Sequence, residues 1–154
     1  MLRTTRRIAR TIGAVALPLL LLPACSGERT ATTDVSVAKV AGSWKGPDGE
    51  RVSLTSDHAF TSAGLDSPKL KDTHCAGGED SGTWGFYVPD GDDGEAVSDT
   101  AGSGDWIGLS FKSDATQEFP CSVQLAVVDG GRTLCATDDP DLPCGLDVRF
   151  TRAS

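Results

Sequence analysis

Close cysteine pairs, helical periodicity and long apolar runs are all missing from this sequence, and histidine is scarce. Each absence excludes something. Without a C-x₂-C pair the usual zinc-ligand spacing is ruled out, and no metal site is expected. The acidic stretches Asp90, Asp92, Asp93, Glu95 and Asp138-Asp139-Pro140-Asp141 lack the D-x-D-x-D-G spacing and the distal glutamate of a calcium loop. That leaves at most a weak cation site there. The two histidines, His58 and His74, come without a G-x-S-x-G elbow to present a serine, so they read as surface residues rather than bases. No residue is selected as catalytic, no cofactor motif is present, and a hydrolase is the least supported reading. No stretch repeats apolar residues at helical spacing, which argues against a helical domain.

Basic residues are also few. Four of the 14 Lys and Arg lie in the first ten positions, whereas all 22 Asp and Glu lie beyond residue 24, so the chain from Cys25 onward has a formal charge of −12. A surface of that sign repels phosphate backbones and anionic lipid head groups, which excludes nucleic-acid binding. It would attract cations or a basic partner, or serve only for solubility.

The chain opens with Arg3, Arg6, Arg7 and Arg10, followed by the uncharged run Ile12 to Leu22 and then Pro23-Ala24-Cys25. The run is shorter than the ~20 apolar residues needed to span a bilayer. Basic, apolar and small residues in that order are a secretory signal. Leu22-Pro23-Ala24-Cys25 resembles the lipobox of bacterial lipoproteins. The resemblance implies cleavage after Ala24, a diacylglyceryl group on the Cys25 sulfur and a lipid-anchored protein on the outer face of the cell membrane. Arg6-Arg7 leaves the twin-arginine and general export routes both open. Residues 25–39 are small and polar and read as a flexible tether.

From Val40 onward short alternating runs replace polar sequence. Trp84, Phe86 and Val88 alternate with Thr83, Gly85 and Tyr87; Ile107, Leu109 and Phe111 alternate with Gly108 and Ser110. Turn sequences such as Pro47-Asp48-Gly49, Pro89-Asp90-Gly91 and Asp129-Gly130-Gly131 separate such runs. Strands are expected near 41–46, 50–56, 58–63, 82–88, 105–112, 121–128, 132–136 and 145–152, with long loops at 64–81 and 89–104. Eight consecutive antiparallel strands suggest an all-β meander barrel over 40–154, with a compact β-sandwich as the alternative.

Each tryptophan ends a G-x-W tripeptide: Gly42-Ser43-Trp44, Gly82-Thr83-Trp84 and Gly104-Asp105-Trp106. The first resembles the G-x-W that opens lipocalins and other calycin-like barrels. That resemblance implies a tryptophan packed across a closed barrel end. Gly42-Ser43-Trp44-Lys45-Gly46, Phe60, Cys75 and Gly82-Thr83-Trp84 together resemble small lipoproteins of actinobacteria, a likeness that brings a fold and an address but no activity. An eight-stranded barrel can hold one small ligand or be filled by its own side chains. Trp44, Trp84 and Trp106 are accordingly candidate ligand-binding residues, with core packing as the competing role.

Besides Cys25 the chain has Cys75, Cys121, Cys135 and Cys144. Four cysteines in an exported domain read as disulfides with three possible pairings. Cys135 and Cys144 flank a short acidic turn, which favours Cys135–Cys144 and, by remainder, Cys75–Cys121. Two functions are compatible with these readings: a binding module for a small apolar ligand or an envelope partner, or an interaction protein with a filled barrel.

Overall fold

Alternation gives each strand one face for a core and one for water, and here it closes a barrel. The structure, a computed structural model, describes residues 30–70, 80–91, 94–112 and 122–154. The leader, Cys25, His74, Asp92, Asp93 and the expected Cys75–Cys121 pair lie outside the described residues.

In chain order the elements are β1 (Val35–Ser36), α1 (Val37–Val40), β2 (Gly42–Lys45), β3 (Arg51–Leu54), β4 (Ala59–Ala63), β5 (Asp80–Asp90), β6 (Gly94–Ser98), β7 (Ser103–Gly104), β8 (Trp106–Phe111), β9 (Ser122–Val128), β10 (Thr133–Thr137) and β11 (Val148–Arg152). The barrel runs β2-β3-β4-β5-β8-β9-β10-β11. It closes where Thr151 and Arg152 of β11 pair with Lys45 and Trp44 of β2. All pairings are antiparallel, and the expected eight-stranded meander barrel, rather than the sandwich, is the architecture. Closure removes the edges of the eight barrel strands, which would otherwise template association, and leaves β6 paired on one side only.

The inward parity is the one the sequence pattern marks. Trp44, Val52, Leu54, Phe60, Trp84, Phe86, Ile107, Leu109, Phe111, Val123, Leu125, Val127, Leu134, Ala136, Val148 and Phe150 form one buried cluster. Each Val, Leu, Ile or Phe among them contributes about 1.5–3 kcal/mol by leaving water. β10 is buried on both faces. Its outward Cys135 packs with Ala126, Val128, Trp106 and Cys144 in a second, smaller cluster on the outer wall. The Cys135–Cys144 disulfide staples the 138–147 loop there, with a Cα–Cα distance of 4.9 Å.

Three features differ from expectation. The stretch expected as tether up to residue 39 is docked from Thr32 onward. Thr32 bridges to Val128, Thr33 N–H donates to the Val127 carbonyl at 2.8 Å, β1 pairs with β7, and α1 lies over one barrel end. The reason is three valines in a polar context: Val35 and Val40 join the buried cluster and Val37 packs against it. The expected 89–104 loop contains β6, which forms a hairpin with the second half of β5 through Phe86↔Ser98 to Asp90↔Gly94. The last strand starts at Val148 rather than near 145, because Asp147 adopts a φ of 53° and its N–H donates to the Cys144 carbonyl.

Candidate functional site

The three tryptophans share a tripeptide but not an environment. Trp44 points inward from β2 and is 1 % exposed. Its indole N–H donates to the Val40 carbonyl at 2.9 Å. The Arg152 guanidinium lies 4.7 Å from the ring centroid and donates to the carbonyls of Ala41 and Lys39. First strand, α1 and last strand are thereby tied together, and this end of the barrel is closed. The glycine two residues earlier has a physical cause: Gly42 has a φ of 140°, and a Cβ there would lie 2.3 Å from Arg152 Nη1. The other two G-x-W glycines are equally crowded, Gly82 by the Ser110 carbonyl and Phe60, and Gly104 by Phe86.

Trp84 points inward from β5 and is fully buried. Its indole N–H donates to the Thr55 carbonyl at 2.9 Å, and its backbone N–H donates to the His58 carbonyl at 2.8 Å. His58 sits at the β3–β4 hairpin tip, as its sequence position suggests, but it is not a free surface residue. Its ring stacks on Trp84 with centroids 4.6 Å apart, and Nδ1 lies 3.1 Å from the Trp84 carbonyl oxygen. Phe86 meets the same indole edge-on at 5.5 Å. His58 therefore covers the core and faces no serine or carboxylate in a catalytic arrangement among the described residues.

Trp106 has the opposite parity. Ile107 and Leu109 point inward, so Trp106 points out and stays half-exposed. It lines a groove of about 290 Å³ with Tyr87, Glu95, Gln124 and Pro140. Tyr87 comes from β5, Glu95 from β6, Gln124 from β9 and Pro140 from the disulfide-stapled loop. Gly108 makes the groove possible: a Cβ there would lie 2.4 Å from Val97 Cγ2 and 3.2 Å from the Tyr87 ring, so the β5–β6 hairpin could not settle on β8. Tyr87 titrates above the ordinary tyrosine value of 10.0: burial pushes it up, a Gln124 hydrogen bond pulls it back, and the Glu95 carboxylate adds to the rise.

The far end of the barrel carries a buried carboxylate that the sequence pattern does not mark. Glu50 is 1 % exposed in the β2–β3 turn, and one of its oxygens accepts from Asp48 N–H at 2.9 Å. Its other oxygen has no partner among the described residues, and neither has Ser67 Oγ. Lys69 bridges Asp48 and Asp147 nearby, at 4.0 and 3.9 Å. A second groove, about 590 Å³ and polar, runs along the outer wall past Arg51, Ser53, Thr61 and Ser81. Among the described residues no three His, Cys, Asp or Glu are placed to hold a metal ion. Asp90 and Glu95 sit on the β5–β6 hairpin and Asp138, Asp139 and Asp141 on the stapled loop, as two separate acidic groups.

Outward parity for Tyr87 and Trp106 is readable from alternation alone. That they share one surface with Gln124 and Pro140 is not, because it depends on strand order, register and the path of β6. Searches of protein-family models, of curated proteins and of solved structures find no match to this chain.

Proposed function

We propose that this protein is a membrane-anchored, extracytoplasmic interaction module that meets an envelope partner with its outer wall and not with its barrel interior. The observation that carries this reading is the fate of the tryptophans. Trp44 and Trp84 are buried, and their indole N–H groups are bonded to main-chain carbonyls of α1 and of the β3–β4 turn. A ligand in the interior would have to displace packed aromatic rings, whereas Trp106 already lines an open groove. The anchor and the address rest on Leu22-Pro23-Ala24-Cys25 and the leader before it. The loose likeness to lipocalins extends in this reading to strand number and the closed tryptophan end, not to a ligand in the lumen.

Two experiments test the reading. Fractionation of cells expressing Cys25→Ser should find the protein unprocessed or released; normal processing and membrane retention would remove the anchor. Xenon enters dry apolar cavities of about 150 Å³. Under xenon pressure the resonances of inward residues such as Leu109 and Leu125 should stay in place; large shifts there would establish a hollow barrel and a lumen ligand instead.

A further inference from the structure

The groove at Trp106 has a chemistry of its own, and assigning it an occupant rests on the outer-wall reading. Its surfaces are two half-buried aromatic rings, Tyr87 and Trp106, with the Gln124 amide between strands and an exposed carboxylate, Glu95, on one bank. Glu95 has no cationic partner among the described residues, where both ion pairs belong to Lys69 with Asp48 and Asp147. Asp90 beside it on the hairpin, and Asp138 and Asp141 in the loop that carries Pro140, likewise make no ion pair among the described residues. The chain from Cys25 onward carries a net charge of −12, so the surface as a whole favours a cationic partner.

Aromatic faces attract cations through the negative charge on their π-surfaces, and arginine does this most often. A neighbouring carboxylate adds a charge-assisted contact. The chain already uses the first half of this pairing internally, where the Arg152 guanidinium lies over Trp44. We propose that the groove holds an arginine or lysine side chain presented by a basic protein partner, with Trp106 and Tyr87 as the aromatic faces and Glu95 as the counter-charge. A neutral sugar would stack on the same rings and could hydrogen-bond Glu95, but would leave its charge unbalanced, whereas a cation satisfies both. Electrostatic attraction between an acidic module and a basic partner also speeds encounter, and salt weakens it.

The test uses the full-length chain with ¹⁵N-labelled indoles in a neutral polyoxyethylene detergent. The three indole N–H resonances are followed while triarginine amide, triglutamine amide or maltotriose is added. Triarginine amide should shift the Trp106 resonance and leave Trp44 and Trp84 in place. Glu95→Gln, at an exposed position with no internal ion pair to lose, should weaken that binding about tenfold, as should raised salt. Shifts of Trp106 by maltotriose or triglutamine amide of equal size, an unchanged affinity in Glu95→Gln, or no response to triarginine amide would each overturn the cation assignment. Those outcomes leave the filled barrel intact. Xenon shifts at inward residues would overturn the outer-wall reading itself.

Discussion

Trp84 and Trp106 end matching G-x-W tripeptides on neighbouring regions of the sheet, yet one faces the core and the other faces solvent. The contrast shows what the tripeptide encodes. At Gly82 and Gly104 the Ser110 carbonyl and the Phe86 side chain cross the strand too closely for a Cβ, and at Gly42 the glycine supplies a φ of 140° beside the tip of Arg152. The motif marks a backbone position that favours glycine. The role of the tryptophan two residues later is set by strand parity and by what lies opposite. The inner rings hold the barrel together, and the outer ring is left available.

The largest expected difference between the two regions is in stability. Trp84→Ala should cost about 3–5 kcal/mol, as truncation of a buried aromatic does. It also removes one of the two hydrogen bonds to the Thr55 carbonyl, leaving the one from His58 N–H, and uncovers the His58 ring. Trp44→Ala should fall in the same range. Trp106→Ala should cost only about 1–2 kcal/mol, because the ring is half-exposed and keeps fewer contacts. Chemical denaturation of the three variants checks this. Equal losses for Trp84→Ala and Trp106→Ala would erase the distinction between inner and outer wall.

A smaller effect is expected where the outer wall is stapled. Cys144→Ala opens the Cys135–Cys144 disulfide, which spans a sequence separation of 9. In the chain-entropy model a loop of that size contributes about 2.5 kcal/mol. The loss should be accompanied by a perturbed Trp106 signal, because Cys144 and Cys135 pack in the same cluster as that ring. An unchanged Trp106 environment would detach the staple from the groove.

The smallest effect is electrostatic. Tyr87 is the chain's single tyrosine, so tyrosinate absorbance reports it alone. Its folded value lies above the ordinary 10.0. The stability linked to the neutral phenol is therefore complete below about pH 10 and is lost as pH rises through the folded value. Gln124→Leu should raise the midpoint by removing the opposing hydrogen bond, and Glu95→Gln should lower it. A midpoint at or below the ordinary value in the unaltered chain would mean that Tyr87 is not sheltered in the groove.

Much of this architecture is legible in the residues. The alternation of Ile107, Leu109 and Phe111, or of Trp84 and Phe86, marks inward faces directly, and Cys135 and Cys144 around an Asp-Pro turn mark the staple. What escapes the pattern has physical causes. β6 escapes because its glycine, glutamate and serine match no strand preference; it is held by the neighbouring half of β5. Residues 32–40 escape because three valines among polar residues show no period, yet suffice to cap a barrel end already shaped for them. Glu50 escapes because nothing local announces that a turn carboxylate will be buried. The groove escapes because its residues come from four strands and a loop, and only the register joins them.

Two tryptophans are packed into the barrel, and the third lines the groove on the outer wall. Hydrogen exchange of the three indole N–H groups separates these roles, because Trp44 and Trp84 donate to the main-chain carbonyls of Val40 and Thr55 and no such bond is made by Trp106 among the described residues. Exchange should be slow at Trp44 and Trp84, approaching that of the core amides, and fast at Trp106. Fast exchange at Trp84, or protection of Trp106 equal to the other two, would contradict this division of roles.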